Sequence, residues 1–154
     1  MELARLTQHT DIFIVGAGIS GLTLANLLTH YGLSYRIIDC KSVHETSQNI
    51  ILQARTLEVL NVIGITKAIR ATGKILTAIT VKPSDTVMLN LNFTELEDTA
   101  YPYMLMVQQS QLEAMLIKRL EKNSITVERK KTLTDFMPSE NGVTLTIEQD
   151  NGTI

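Results

Sequence analysis

The chain has 154 residues, 44% of them apolar, which suits one domain with an ordinary hydrophobic core. Fourteen basic and sixteen acidic residues leave a net charge of -2, and the longest basic run is a triplet, Arg129 to Lys131, so we expect no nucleic-acid or anionic-membrane partner. The single cysteine, Cys40, excludes an internal disulfide, and the lack of a signal-like or membrane-length apolar run favours a cytoplasmic protein.

The first predicted elements are a strand and a helix. Asp11–Val15 is almost wholly apolar, which indicates a strand covered on both faces, as in a parallel sheet. From Ile19 the apolar spacing becomes helical. The apolar side chains at this spacing are Leu24, Leu28 and Tyr31, with Gly21 and Ala25 beside them.

A second strand follows the helix closely. Gly32 is placed to end the helix in a left-handed conformation, and Ser34–Asp39 is predicted as the second strand. Two strands joined by one helix in under 30 residues predict a right-handed parallel βαβ unit.

Helices and strands also alternate in the rest of the chain. Further helices are predicted at Arg55–Ile63, at Thr66–Thr72, and at Ser110–Glu121 with a Ser110/Glu113 capping box and an apolar face of Leu112, Leu116 and Leu120. Further strands are predicted at Ile75–Lys82, Thr86–Phe93, Tyr103–Val107, Ile125–Glu128, Leu133–Met137 and Val143–Gln149. Pro83–Asp85 is expected to join two of these strands, and Asn141-Gly142 is expected to form a hairpin turn.

Three glycines between the first strand and the helix form the pattern G-x-G-x-x-G. Gly16 permits a tight turn, Gly18 lets a pyrophosphate approach the backbone, and Gly21 lets helix and strand pack closely. The phosphates would lie at the helix N-terminus, where Ile19 and Ser20 form the first turn and free N–H groups favour an anion.

A carboxylate ends the second strand. Asp39 can accept hydrogen bonds from the ribose hydroxyls of an adenosine, and we expect Cys40 to be partly buried beside that pocket, mainly as a packing residue. Together with the glycines, this arrangement predicts an adenine dinucleotide site but does not separate FAD from NAD. Glycines that serve only the turns are the alternative.

Three stretches of the sequence resemble the FAD-dependent aromatic hydroxylases, the single-component flavoprotein monooxygenases. They are "DIFIVGAGISGLTLANLLTHYGLSYRIID", "ILQARTLEVLNVIGI" and "YPYMLMVQQSQLEAMLIKRL". The resemblance implies an α/β fold: a Rossmann-like, FAD-binding βαβ unit with a parallel sheet and additional β-hairpin strands, in truncated form.

The resemblance also implies cofactor contacts outside the glycine-rich turn. Gln109 matches a glutamine that hydrogen-bonds the FAD ribose or ribityl region, although it could merely precede a helix cap. Arg55 matches a run that borders the flavin and the substrate, although it could be a surface or capping residue. Leu133 resembles a position whose backbone meets the adenine, and Gln48 stands near the place of a family arginine that touches the FAD phosphates.

The remaining reactive side chains predict no further chemistry. The histidines are scattered and show no ligand spacing, so we expect no metal site. The methionines fit core packing, and no catalytic acid or base is identified.

The likeness suggests that the chain is the N-terminal part of a longer family member. Residues 1–154 would belong to an FAD-binding domain, with residues 75–107 as the possible start of a substrate sheet. We expect the residues after Asn151-Gly152 to be too few to pair as a strand. An uncovered strand edge and apolar surface would then favour self-association.

Three functions remain open from the sequence. The resemblance implies a monooxygenase in which NAD(P)H reduces FAD and one oxygen atom of O2 is transferred to an aromatic ring. The alternatives are another FAD-dependent oxidoreductase or reductase, and a nucleotide-binding module without catalysis.

Overall fold

The computed structural model describes residues 9–42, 48–81, 89–149 and 152–153. The strands in these ranges are β1 (Ile12–Val15), β2 (Tyr35–Asp39), β3 (Asn49–Leu52), β4 (Lys74–Leu76), β5 (Ala78–Val81), β6 (Leu89–Asn92), β7 (Met104–Gln108), β8 (Glu128–Arg129), β9 (Lys131–Ser139), β10 (Gly142–Gln149) and β11 (Gly152–Thr153). The helices there are α1 (Ile19–His30), α2 (Ala54–Val62), α3 (Thr66–Thr72) and α4 (Gln109–Lys122), with a 3₁₀ turn at Phe93–Glu95. None of these helices is long and apolar enough to cross a membrane.

The chain forms two compact units. The first unit combines residues 1–45 with residues 116–154, and the second unit consists of residues 46–115. The division falls within α4, so its first half belongs to the second unit and its second half to the first.

A parallel sheet with the order β1-β2-β8 is the centre of the first unit. Ile14 lies opposite Ile37 in the β1–β2 pair, which confirms the predicted parallel arrangement. The predicted strand Ile125–Glu128 is wrong at its start, because the Ile125 N–H donates to Leu120 O and so closes the end of α4. The strand consists of Glu128 and Arg129 instead.

The prediction that β1 is covered on both faces is also wrong at one residue. Ile14 is buried, but Val15 is 54% exposed. β1 lies at an edge of the described sheet, and Val15 is its last residue, so less of the unit packs around it.

The buried face of α1 agrees with the predicted one at Leu28 and differs from it elsewhere. Leu24 and Tyr31 are exposed, and the side chains that α1 buries are Leu22, Ala25, Asn26 and Leu28. At Gly21 the helix lies against the backbone of Gly16 in the preceding turn. The residues one and two helical turns after Gly21 therefore face inward. The small residue therefore orients the helix, not the larger apolar ones.

Gly32 ends α1 as predicted. Its φ of +69° is left-handed, the Leu33 N–H donates to Leu28 O at 2.9 Å, and the Gly32 N–H donates to Thr29 O at 3.2 Å. These two bonds form a Schellman motif, which satisfies carbonyl groups at the helix end.

The first unit also contains an antiparallel sheet with the order β11-β10-β9. Ser139 lies opposite Gly142, which confirms the hairpin predicted at Asn141-Gly142. The expectation that the last residues cannot pair is wrong, because Thr153 lies opposite Glu148. The long strand β10 offers an ordered edge, so the two residues Gly152 and Thr153 are enough to form a short antiparallel pairing with it.

The second unit contains an antiparallel sheet, β3-β7-β4, and a separate two-stranded ribbon, β5-β6. The short β3 was not predicted, since its partner β7 lies far along the chain. The predicted strand Ile75–Lys82 is divided at Thr77, because the residues before it pair with β7 and the residues after it pair with β6. The turn predicted at Pro83–Asp85 lies outside the described residues.

Among the residues that the structure describes, α2, α3 and the first half of α4 belong to the second unit. α2 and α3 confirm the predicted pair. α2 buries Leu57 and Leu60, α3 buries Ile69, and Ile63 is buried directly after α2. α4 begins at Gln109, directly after β7 and one residue before the predicted start at Ser110. The predicted apolar face of α4 is confirmed, since Leu112, Leu116 and Leu120 are all buried.

Candidate functional site

The glycine-rich turn joins β1 to α1 in the first unit. Gly16 has a φ of +103°, and its N–H donates to Ile38 O at 2.9 Å, which fixes the turn to β2. The first intrahelical bond runs from the Leu22 N–H to Gly18 O, so the preceding N–H groups have no acceptor within the helix. Those four donors belong to Gly18, Ile19, Ser20 and Gly21.

Gly18 and Gly21 serve different purposes in this turn. A Cβ on Gly21 would lie 1.9 Å from Gly16 O, so only glycine allows the helix to approach the turn this closely. A Cβ on Gly18 would meet no atom within 4 Å. The space beside Gly18 is therefore open to a group that approaches the backbone.

Asp39 is tied to the same turn. Its side chain is almost fully buried at the end of β2, and its Oδ2 accepts the Ala17 N–H at 2.7 Å. Its Oδ1 accepts the Lys41 N–H at 2.8 Å. The structure thus brings the glycines and Asp39 together, and the carboxylate stabilises the shape of the turn.

Arg129 lies beside Asp39 and was not predicted as a site residue. It faces Asp39 across the β2–β8 pair, and its Nη1 is 3.5 Å from Asp39 Oδ2. This Nη1 is buried and makes no hydrogen bond within the part of the chain that the structure describes. Arg129 also lines a cavity of about 180 Å³ with apolar residues of α4. The sequence showed it only as one member of a basic triplet.

Cys40 and Leu133 belong to the same unit. Cys40 is exposed, so the expectation that it is partly buried is wrong. Successive side chains of an extended segment point to opposite sides, and the buried side is already taken by Asp39. Leu133 is half-buried on β9, opposite Ile147, and β9 also contacts β2.

An ion cluster of Arg36, Glu128 and Lys131 links the strands β2, β8 and β9. Arg36 on β2 donates two hydrogen bonds of 2.8 Å to the Glu128 carboxylate on β8, and Lys131 adds a third at 2.6 Å. The Arg36 hydrogen bonds, followed by that of Lys131, lower the pKa of Glu128 to about 2. The cluster therefore favours the pairing that places Arg129 beside Asp39.

Gln109 belongs to the second unit and is held by two neighbours. Its backbone N–H donates to Gln48 O at 2.9 Å, and its Oε1 accepts from Gln48 Nε2 at 3.3 Å. Its Nε2 donates to Oε1 of the buried Glu113 at 2.9 Å. The amide of Gln109 is thereby fixed in orientation, since a carboxylate accepts and does not donate.

Arg55 lies near the start of α2 with its side chain 68% exposed. It donates to both oxygens of Glu58 and to Oδ2 of Asp98. Thr99 also donates to Glu58, and the bonds from Thr99 and then Arg55 lower the pKa of Glu58. The guanidinium is thus engaged by two carboxylates within the second unit.

Among the described residues, no three His, Cys, Asp or Glu side chains are grouped to hold a metal ion. The first unit does fit an adenosine diphosphate group. It has open space at Gly18, free N–H donors at the start of α1, and an unpartnered guanidinium nitrogen beside Asp39. Each of these features suits an anion or a hydroxyl-bearing ligand.

Comparisons with known proteins show which proteins this chain resembles. Among curated proteins, the chain is similar to 6-methylpretetramide 4-monooxygenase of Streptomyces rimosus, with 32% identity over 143 residues that cover 91% of this chain and 26% of that protein. It is 32% identical over 145 residues to pentachlorophenol 4-monooxygenase of Sphingobium chlorophenolicum, covering 92% of this chain and 27% of that protein.

Solved structures show the same fold. The anhydrotetracycline hydroxylase of Streptomyces rimosus matches with a TM-score of 0.77 and 27% identity, over 96% of this chain and 29% of that one. The p-nitrophenol 4-monooxygenase of Pseudomonas putida matches with a TM-score of 0.81 over 93% of this chain and 37% of that one, and at 19% identity it supports the fold alone.

The chain spans about a quarter of the length of the curated relatives named above. Residues 9–154 match the family described as FAD binding domain. This match and the two relatives confirm the resemblance seen in the three sequence stretches. The chain therefore belongs to the family of FAD-binding domains that occurs in aromatic monooxygenases.

Proposed function

We propose that this chain binds the adenosine diphosphate half of FAD for a monooxygenase that uses NAD(P)H and O2 to hydroxylate an aromatic substrate. The observation that carries the proposal is the joint geometry of the turn and Asp39, in which one carboxylate holds the loop that presents the helix N–H groups. The monooxygenase activity is supported by the relatives, whose names describe monooxygenases.

Each site residue has a proposed role in binding. The N–H groups of Gly18, Ile19, Ser20 and Gly21 would hold the pyrophosphate, and Gly16 would give the turn its shape. Asp39 would accept a hydrogen bond from a ribose hydroxyl, and the backbone of Leu133 would contact the adenine. The fixed amide of Gln109 would serve the ribose or ribityl region, while roles for Arg55 and Cys40 stay predictions.

The chemistry of the reaction comes from the flavin. When bound, FAD would accept reducing equivalents from NAD(P)H and would activate O2, so that one oxygen atom can be transferred to the aromatic ring. The residues of this chain contribute by binding and orienting the cofactor. The hydrogen bonds of Asp39 to Ala17 and Lys41 fix the turn before the ligand arrives, which reduces the ordering that binding requires.

The binding function is tested by titrating the purified chain in parallel with FAD, ADP and NADH. Flavin fluorescence and thermal unfolding are followed together. FAD and ADP should raise the melting temperature, since a ligand at 100 times its Kd stabilises the folded state by about 2.7 kcal/mol. FAD should bind more tightly than NADH.

A glycine variant provides the control for this titration. Gly18→Val should abolish the stabilisation by FAD and ADP, because the branched side chain would occupy the open space beside the turn. Absence of a shift with every nucleotide for the unmodified chain would contradict the binding proposal.

The hydroxylase activity is tested in a longer protein that contains this domain. NAD(P)H oxidation is measured with phenolic compounds under labelled O2, and one labelled oxygen atom is expected in the product. Flavin reduction without ring hydroxylation would favour another FAD-dependent oxidoreductase.

A further inference from the structure

We propose that Arg129 and Asp39 act together to recognise a ribose hydroxyl of the bound adenosine diphosphate group, so that Arg129 contributes to the discrimination against a ligand in which that hydroxyl is missing. This inference rests on the proposed binding function. It adds a residue that lies in a different strand from the glycine-rich turn and from Asp39.

The sheet places the two side chains at one position. Asp39 is the last residue of β2, and Arg129, the last residue of β8, lies directly opposite it in a parallel pair. Paired residues of adjacent strands project to the same face of a sheet. Their charged ends accordingly meet, with Arg129 Nη1 3.5 Å from Asp39 Oδ2.

The hydrogen-bonding capacity of Asp39 is only partly used. A carboxylate offers about four lone-pair positions. Two of them accept the N–H groups of Ala17 and Lys41. Asp39 can therefore still accept a hydrogen bond from a hydroxyl group of a ligand.

Arg129 has the complementary deficit. Its Nη1 is buried without a hydrogen-bond partner in the described ranges, although a buried charged donor is costly to leave unpaired. The 3.5 Å separation from Asp39 gives an ion pair but no hydrogen bond. An acceptor atom from a ligand would remove this deficit.

A hydroxyl group satisfies both residues at once, because it donates one hydrogen bond and accepts others. A ribose hydroxyl can donate to Asp39 and accept from Arg129 Nη1. A phosphate at the same place would have no proton for Asp39 at neutral pH and would be repelled by the carboxylate. The pair thus favours ADP and FAD over ligands with a phosphorylated or missing ribose hydroxyl.

The test measures affinities by calorimetry for ADP, 2′-deoxy-ADP, 3′-deoxy-ADP and adenosine 2′,5′-bisphosphate. The unmodified chain should bind ADP about tenfold or more tightly than the bisphosphate and than at least one deoxy analogue. Arg129→Met should weaken ADP binding by about tenfold and reduce the preference over that deoxy analogue to about threefold or less. Arg129→Gln is measured in parallel, with the same expectation, in case the methionine variant fails to fold.

Lys130→Gln is the matched control, because it removes the same charge from the adjacent, exposed residue. It should bind all four nucleotides like the unmodified chain. The inference is overturned if both Arg129 variants keep the full affinity for ADP, or if they lose the same factor for ADP and for each deoxy analogue. If the unmodified chain binds no nucleotide, the proposed function and this inference fail together.

Discussion

At the scale of single residues, alanine substitutions of Gly18 and Gly21 should have different effects, one on FAD binding and the other on the stability of the chain. Gly21→Ala should destabilise the chain by about 1–3 kcal/mol, because the added Cβ meets Gly16 O at 1.9 Å and the helix must shift. Gly18→Ala should leave stability nearly unchanged, since its Cβ meets nothing within 4 Å. It should nevertheless weaken FAD binding by narrowing the approach to the backbone.

Urea unfolding and FAD titration of both variants check this prediction. The residue at position 18 has an ordinary φ of -76°, so alanine adds no backbone strain there. Equal losses of stability in the two variants would contradict the different roles assigned to the two glycines.

The same two positions show how far the sequence determines the site. The pattern of three glycines after a strand predicted the turn, because each glycine has its own steric reason to be there. Arg129 could not be predicted, since nothing in the local sequence indicates that β8 pairs with β2 in the register that joins it to Asp39.

Asn26 connects two helices of the first unit at the scale of elements. Its Nδ2 donates to Leu22 O in α1 at 2.8 Å and to Leu116 O in α4 at 3.1 Å, while the side chain is almost fully buried. Asn26→Asp should destabilise the chain by about 3 kcal/mol, because a buried carboxylate would face two carbonyl oxygens without a donor. Urea unfolding at neutral pH measures the difference.

The control for this prediction is Asn123→Asp. Asn123 lies at the exposed end of α4, and its Nδ2 donates to Arg119 O at 2.9 Å. This change should cost less than about 1 kcal/mol, mainly through the helix dipole. If Asn26→Asp costs no more than the control, the connection between the helices does not contribute to stability.

The ion cluster of Arg36, Glu128 and Lys131 predicts a pH dependence. The pKa of Glu128 is lowered from 4.5 to about 2, so its contribution is present above the unfolded pKa and is lost as pH falls from about 4.5 to 2. Because Glu128 is partly exposed, solvent screening reduces this contribution to about 1 kcal/mol.

Glu128→Gln isolates this contribution from that of the other carboxylates. The variant should be less stable than the unmodified chain by about 1 kcal/mol at pH 7, and the two should converge near pH 2. Unfolding by urea at several pH values provides the measurement. A difference that stays constant across this range would assign the effect to packing and not to charge.

Element boundaries show which features the sequence could predict. The helices α2, α3 and α4 were predicted within one or two residues, because their apolar periodicity is local. The inward face of α1 was predicted only in part: Leu28 is buried, but Leu24 is exposed, because the close approach at Gly21 turns a different side of the helix inward. The break at Thr77 depends on pairing with two different strands, β7 before it and β6 after it, and could not be inferred from composition.

At the scale of the whole molecule, self-association is predicted from exposed apolar side chains on the β9–β10 hairpin. Phe136 and Val143 are 61% and 59% exposed, and the strand register places them on the same face. We expect the sedimentation coefficient of the chain to rise with concentration. Replacing both residues with threonine should reduce this rise, because threonine suits a strand without adding a comparable apolar surface.

Met137→Thr is the control for the hairpin variants. Met137 is similarly exposed but lies on the opposite face, across from Thr144. It should leave the association unchanged if the Phe136 face is responsible. A sedimentation coefficient that does not vary with concentration would contradict the prediction.

The pairing of β2 with β8 has a consequence for how the site is assembled during synthesis. The bond from Ala17 to Asp39 spans 22 residues, whereas the ion pair of Arg36 with Glu128 spans 92. At about 5–20 residues per second, the ribosome needs roughly 5–20 s to make the intervening chain. During that interval the nascent turn and Asp39 exist without Arg129, and the edge of β2 that later receives β8 is available to a chaperone.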